Sequence, residues 1–126
     1  MNRFSSVPIV ALCAALVSGC GLMEPDPRVA YIAQVDVPAS LSATAGGAVT
    51  IHYGLSGCDE LVGPDVRRTT ASMRVTVKKR TPRGAMCLTQ VVMHELELAI
   101  SGPVSSPFQL VVARMQGDTT YVIPVD

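Results

Sequence analysis

Few residues in this 126-residue chain could carry chemistry. It has two histidines and no tryptophan. His52 lies between Ile51 and Tyr53, on the polar parity of an alternating run, and His94 shares its parity with Leu96 and Leu98. A histidine in either setting is more often solvated or hydrogen-bonded at a core margin than catalytic. A nucleophilic serine needs a base and an orienting acid within reach, and the chain has no Gly-x-Ser-x-Gly elbow. Asp59-Glu60 reads as a solvated acidic turn, because paired glycosidase acids need a cleft that so small a domain does not provide. No glycine motif for cradling phosphate is present. Met93-His94 offers thioether and imidazole, the ligands copper(I) favours. A single such pair is better explained by methionine filling a core. Cys58 and Cys87 are too far apart for a redox Cys-x-x-Cys, and two soft ligands fall short of a zinc site. The residues therefore predict a non-enzyme with no metal and no cofactor.

The charged residues are more informative. Ten Lys and Arg balance ten Asp and Glu, which argues against nucleic acid as a partner. The basic residues are nevertheless clustered: Arg67, Arg68, Arg74, Lys78, Lys79, Arg80 and Arg83 fall within 17 positions. Arg74 and Lys78 share a strand face with Thr76, giving a positive stripe. Such a stripe can be a solvated face that guards an edge against pairing. It can also be a contact surface for anionic headgroups, an acidic polymer or an acidic partner. Glu95 and Glu97 could sit across from it and cancel its field, a point the sequence leaves open.

The elements that must position these residues have a period of two. Val29, Tyr31, Val35 and Val37 share one parity; Val49, Ile51, Tyr53 and Leu55 alternate with Thr50, His52 and Gly54. Met73, Val75 and Val77 do the same, as do Val92, Leu96, Leu98 and Ile100, then Phe108, Leu110 and Val112, then Tyr121, Ile123 and Val125. Turn signals separate the runs at Pro38-Ala39-Ser40, Gly46-Gly47, Ser56-Gly57, Gly63-Pro64, Thr81 to Gly84, Ser101-Gly102-Pro103 and Gly117-Asp118. Residues 90–100 have helix-forming composition, but the Glu-Leu-Glu-Leu-Ala-Ile alternation favours a strand. Short alternating strands at regular spacing predict one antiparallel β-sandwich of about six to eight strands.

The first 19 residues stand apart. Arg3 precedes an apolar stretch from Val7 to Val17, followed by Ser18 and Gly19. This is the layout of a cleaved signal peptide, too short to span a bilayer. Val17-Ser18-Gly19-Cys20 resembles the lipobox of bacterial lipoproteins at every position. The resemblance implies cleavage before Cys20 and lipidation of its thiol, and two or three acyl chains there would anchor the chain stably. Gly21 is not the aspartate that tends to retain such lipoproteins at the inner membrane. That slightly favours the outer membrane in an organism with two. Residues 20–28 then read as lipidated cysteine and tether, and 29–126 as the folded domain.

With Cys13 discarded and Cys20 acylated, Cys58 and Cys87 form an even pair in an exported protein, where a disulfide is expected. A bridge closing a loop of about 30 residues would contribute ~3.6 kcal/mol on the chain-entropy model.

Residues 29–126 resemble the small immunoglobulin-like domains of bacterial lipoproteins. Gly46-Gly47 leads into Ala48–Leu55, then come Gly57-Cys58-Asp59, the basic run 72–80, Cys87, Pro-Phe-Gln-Leu-Val-Val and a Thr-Tyr-Val-Ile-Pro-Val ending. The resemblance implies an all-β, immunoglobulin-like sandwich held at the cell envelope, its domain in the periplasm or outside the cell. There it would act as a non-catalytic binding or accessory module for an envelope protein or anionic polymer. The alternatives are a purely structural envelope lipoprotein or, less favoured, a copper or redox carrier.

Overall fold

Alternation makes a strand wherever one parity is apolar enough to be buried. The computed structural model describes residues 26–82 and 90–126, and there the alternating runs become eight strands. These are β1 (Arg28–Val29), β2 (Tyr31–Asp36), β3 (Gly47–Ser56), β4 (Glu60–Arg68), β5 (Ser72–Arg80), β6 (Val91–Ile100), β7 (Phe108–Arg114) and β8 (Gly117–Ile123). No helix occurs among the described residues.

The strands form two sheets. The larger is organised around β5, with β4 antiparallel along one side. On the other side β5 takes two neighbours in succession. Its first half pairs in parallel with β7, Ser72 opposite Gln109 through Val75 opposite Val112, and its end pairs with β1 at Lys78 and Lys79. The hairpin partner β8 completes that sheet. The smaller sheet has the order β2-β3-β6, with β3 and β6 matched over ten consecutive pairs from Gly47–Ile100 to Ser56–Val91.

The inward parities meet in one core. Met73, Val75 and Val77 of β5, with Phe108, Leu110, Val112 and Ile123, face Ile32, Val49, Ile51, Tyr53 and Ile100; Leu41 and Val104 close the end. Every one of these side chains is buried, and each contributes roughly 1.5–3 kcal/mol relative to exposure. The chain arrives at β1 beside the C-terminal end of β5. Its last residues return at the opposite end, where Leu41 and Asp126 exchange backbone hydrogen bonds through Leu41 N to Pro124 O and Asp126 N to Leu41 O.

Four expectations are corrected. The sheet holding β5 is mixed rather than purely antiparallel, since β5 and β7 run the same way. Residues 29–37 do not keep one parity: the chain changes sheets at buried Ala30, and a bulge between Ile32 and Gln34 resets the alternation. Ile32 is therefore buried and Tyr31 half exposed. Gly63-Pro64 is not a turn between strands but part of β4, where a bulge and a missing N–H are tolerated at a sheet edge. Arg28, expected in the tether, already belongs to β1. The expected signal peptide, most of the tether, Cys20, Arg83 and Cys87 lie outside the described residues.

Candidate functional site

Strand alternation divides the basic run between two faces. On β5, Arg74, Thr76 and Lys78 share the outer face, while Lys79 follows the inward parity of Met73, Val75 and Val77. On β4, Arg67 lies directly opposite Arg74 and Arg68 opposite inward-facing Met73. A shallow depression of about 300 Å³ on the outer face is lined by Asp65, Arg67, Arg74, Thr76 and Lys78. The stripe is thus real as geometry, but two of its three cations are answered by carboxylates. Arg74 pairs with Asp118 of β8 at 2.8 Å, and Lys78 with Asp65 of β4 at 3.4 Å. The acids that answer the stripe are these two, not Glu95 and Glu97, which belong to the other sheet.

Arg68 and Lys79 have structural partners. Arg68 Nη2 donates to Ser101 O at 2.8 Å, tying β4 to the connection after β6, and its guanidinium sits 5.0 Å above the ring of Phe108 in β7, a cation–π contact. Lys79 reaches inward to Asp59 at 3.2 Å.

Asp59 overturns its reading as a solvated turn acid, for its side chain is only 1% exposed. Oδ2 accepts from Ser56 N at 2.9 Å, Ser56 Oγ at 2.7 Å and Lys79 Nζ, and Oδ1 accepts from Thr81 Oγ1. Burial works to raise its pKa, but the hydrogen bonds from Thr81, Ser56 and Lys79 outweigh it and hold the carboxyl far below the ordinary range. The carboxylate fastens the β3–β4 turn to the end of β5. Cys58, beside it in the turn, is disulfide-bonded; the expected partner Cys87 lies outside the described residues.

The outer face of the smaller sheet is acidic. Asp36, His52 and Glu95 sit on three neighbouring strands, with Glu97 next along β6. His52 Nε2 donates to Asp36 Oδ2 at 2.7 Å, and Glu95 lies 3.6 Å from Nδ1, beyond a hydrogen bond. Hydrogen bonds from Gln34 and then His52 lower the Asp36 pKa. His94 stacks on Tyr53, with ring centroids 5.4 Å apart. Neither histidine bonds a serine, threonine or cysteine among the described residues, so no nucleophile–base pair is assembled there.

What the sequence reading missed is the flank where β4 and β6 end their sheets. Every residue of β4 except Gly63 is exposed, on both faces: among the described residues the smaller sheet stops at β6 and no strand covers the inner side of β4. Val66, inward-facing opposite Val75, is 40% exposed. On β6, Val91, Val92 and Met93 are 53%, 50% and 48% exposed. Between the strands runs an open groove of about 490 Å³, lined in part by Val66, Arg68, Met73, Ala99 and Ser101. The missed signal was Leu61-Val62 and Val66, whose apolar character pointed to a strand despite Gly63-Pro64. Comparison of the chain with protein-family models, with curated proteins and with solved structures finds no match.

Proposed function

We propose that this chain is an exported lipoprotein, anchored through acylated Cys20, whose immunoglobulin-like sandwich is a non-catalytic binding or accessory module of the cell envelope. The observation that carries the reading is the uncovered flank. Monomeric domains seldom leave adjoining strand edges and apolar side chains open without a partner to cover them. The groups best suited to chemistry support the non-catalytic part, since Asp59, His52, Arg68 and Lys79 all hold strands together. Val17-Ser18-Gly19-Cys20 supports the anchor, and Cys58 with Cys87 the covalent staple expected of an exported domain.

The anchor is tested by Cys20→Ala, for which we expect loss of acylation and accumulation of an unprocessed precursor, read by mass spectrometry. A processed, membrane-bound variant would end the lipoprotein reading. The module is tested by crosslinking the lipidated protein in cells and identifying what is attached. One recurring envelope protein or glycan supports an adaptor. Lipids and abundant bystanders alone would instead favour the purely structural reading, which the pairing of Arg74 and Lys78 with aspartates also suits.

A further inference from the structure

The edges of the two sheets are not equally guarded. β4 carries Pro64, a bulge at Val62 and a left-handed Gly63 at φ +108°, all of which discourage another strand from adding to it. β2 has six residues and a bulge of its own. β6 has neither: it is ten residues long, in unbroken register with β3, and contains no proline, glycine, lysine or arginine. Among the described residues nothing pairs with its second edge.

The sheets are also unequal, and among the described residues no strand occupies the position beyond β6. A strand added there would lie about 4.8 Å from β6 and over the inner side of β4, covering Val66 and Pro64. Its inward side chains would also meet Val92, half-buried Leu96 and half-buried Leu98. On the outer face it would run beside Glu95 and Glu97, with Asp36 two strands away.

That charge pattern selects the occupant. A second copy pairing β6 against β6 antiparallel must keep outward residues opposite outward residues. In the registers that match most of the strand, Glu95 and Glu97 then face each other or themselves, and like charges directly opposite destabilise a pair. We propose that β6 is a strand-addition site for an extended segment of another protein, with Lys or Arg on one face and aliphatic side chains on the other. The proposal rests on the binding-module reading and names the surface and partner class it would use. Main-chain hydrogen bonds supply affinity in this mode, and alternate side chains supply specificity.

The test uses the full lipidated chain in a neutral detergent and a labelled decapeptide of alternating lysine and valine, followed by fluorescence anisotropy. Controls are the same peptide N-methylated at alternate residues and a glutamate–valine counterpart. We expect saturable binding of the lysine–valine peptide, lost on N-methylation. Glu95→Lys with Glu97→Lys should weaken it about tenfold while admitting the glutamate–valine peptide. Glu95→Gln with Glu97→Gln, a milder change for folding, should give an intermediate loss. Equal binding of the methylated peptide would reduce the effect to charge attraction and overturn the proposal, as would no binding or indifference to both pairs of substitutions. Sedimentation showing a dimer that either pair disrupts would make the occupant a second copy and overturn it too. A partner crosslinked in cells as readily by the reversed chain would sink the β6 site while leaving the binding module intact.

Discussion

At the scale of single residues, Asp59 does the most for its size. It receives four hydrogen bonds, one from a lysine, with its side chain removed from water. Replacing it with alanine orphans the Ser56 amide and leaves Lys79 without its counter-charge. We expect a loss of about 2–3 kcal/mol in denaturant unfolding. The pH dependence follows from the lowered pKa. The carboxylate's contribution is complete above the ordinary aspartate value near 4 and is lost as pH falls from there toward the native-state value. Acid titration of the parent protein should therefore show stability falling below about pH 4, and Asp59→Asn should flatten that limb. Asp36, a half-exposed carboxyl that is also lowered, acts in the same direction. An unchanged acid limb in the Asn variant would mean that other groups set it.

At the scale of elements, two glycines with positive φ make unequal demands. Gly46 (φ +74°) turns the chain into β3, and a Cβ there would fall 1.7 Å from Ile100 O. Gly63 (φ +108°) lies at the β4 bulge, with nothing within 4 Å of an added Cβ. Gly46→Ala should cost more than 3 kcal/mol or abolish folding, whereas Gly63→Ala should cost about 1 kcal/mol, the backbone strain alone. Equal losses would show that conformation, not space, governs both. The same comparison explains how far the elements could be read from sequence. Where alternation was strict and one parity fully buried, as in Val49–Tyr53, Met73–Val77 and Phe108–Val112, the inward face was legible. It failed where the backbone broke the period or burial was absent. Ala30 and the β2 bulge shift parity by one without a glycine or proline to announce it. β4 is exposed on both faces, and the bulge between Leu61 and Gly63 keeps its apolar residues Leu61, Val62 and Val66 from alternating regularly. The hydrogen bonds of Asp59 depend on a turn meeting the far end of β5, a contact between residues 20 or more apart. The cationic cluster was legible as residues, but the pairing of Arg74 with Asp118 and of Lys78 with Asp65 required β4 beside β5 and β8 beside β7.

At the scale of the whole molecule, charge is distributed by sheet. The outer face of the larger sheet sets Arg67, Arg74 and Lys78 against Asp65 and Asp118, while the smaller sheet presents Asp36, Glu95 and Glu97 around a single histidine. Reversal of Arg74 and Lys78 to glutamate would not test binding alone, because each new carboxylate would meet an aspartate. We expect that double reversal to lower stability by about 1–2 kcal/mol, and Arg74→Gln with Lys78→Gln to stay within about 0.5–1 kcal/mol of the parent. If crosslinking to a partner survives the glutamine pair in the folded protein, the stripe is a solvated face. If it is lost, the stripe is the contact surface.

For the proposed lipoprotein, the strand directions set which end of the domain lies nearer the anchor. The chain enters at β1 beside the last residues of β5, and its final residues lie at the other end against Leu41. In a lipoprotein acylated at Cys20, seven residues separate the anchor from Arg28, a reach of at most about 28 Å over the intervening backbone steps. The end bearing Cys58, Asp59 and Val91 would then hang nearest the bilayer, with Asp126 farthest from it. β6 runs from the near end to the far one, a length of roughly 34 Å. A segment zipping onto it would report, by its register, how far from the lipid surface its own protein is held.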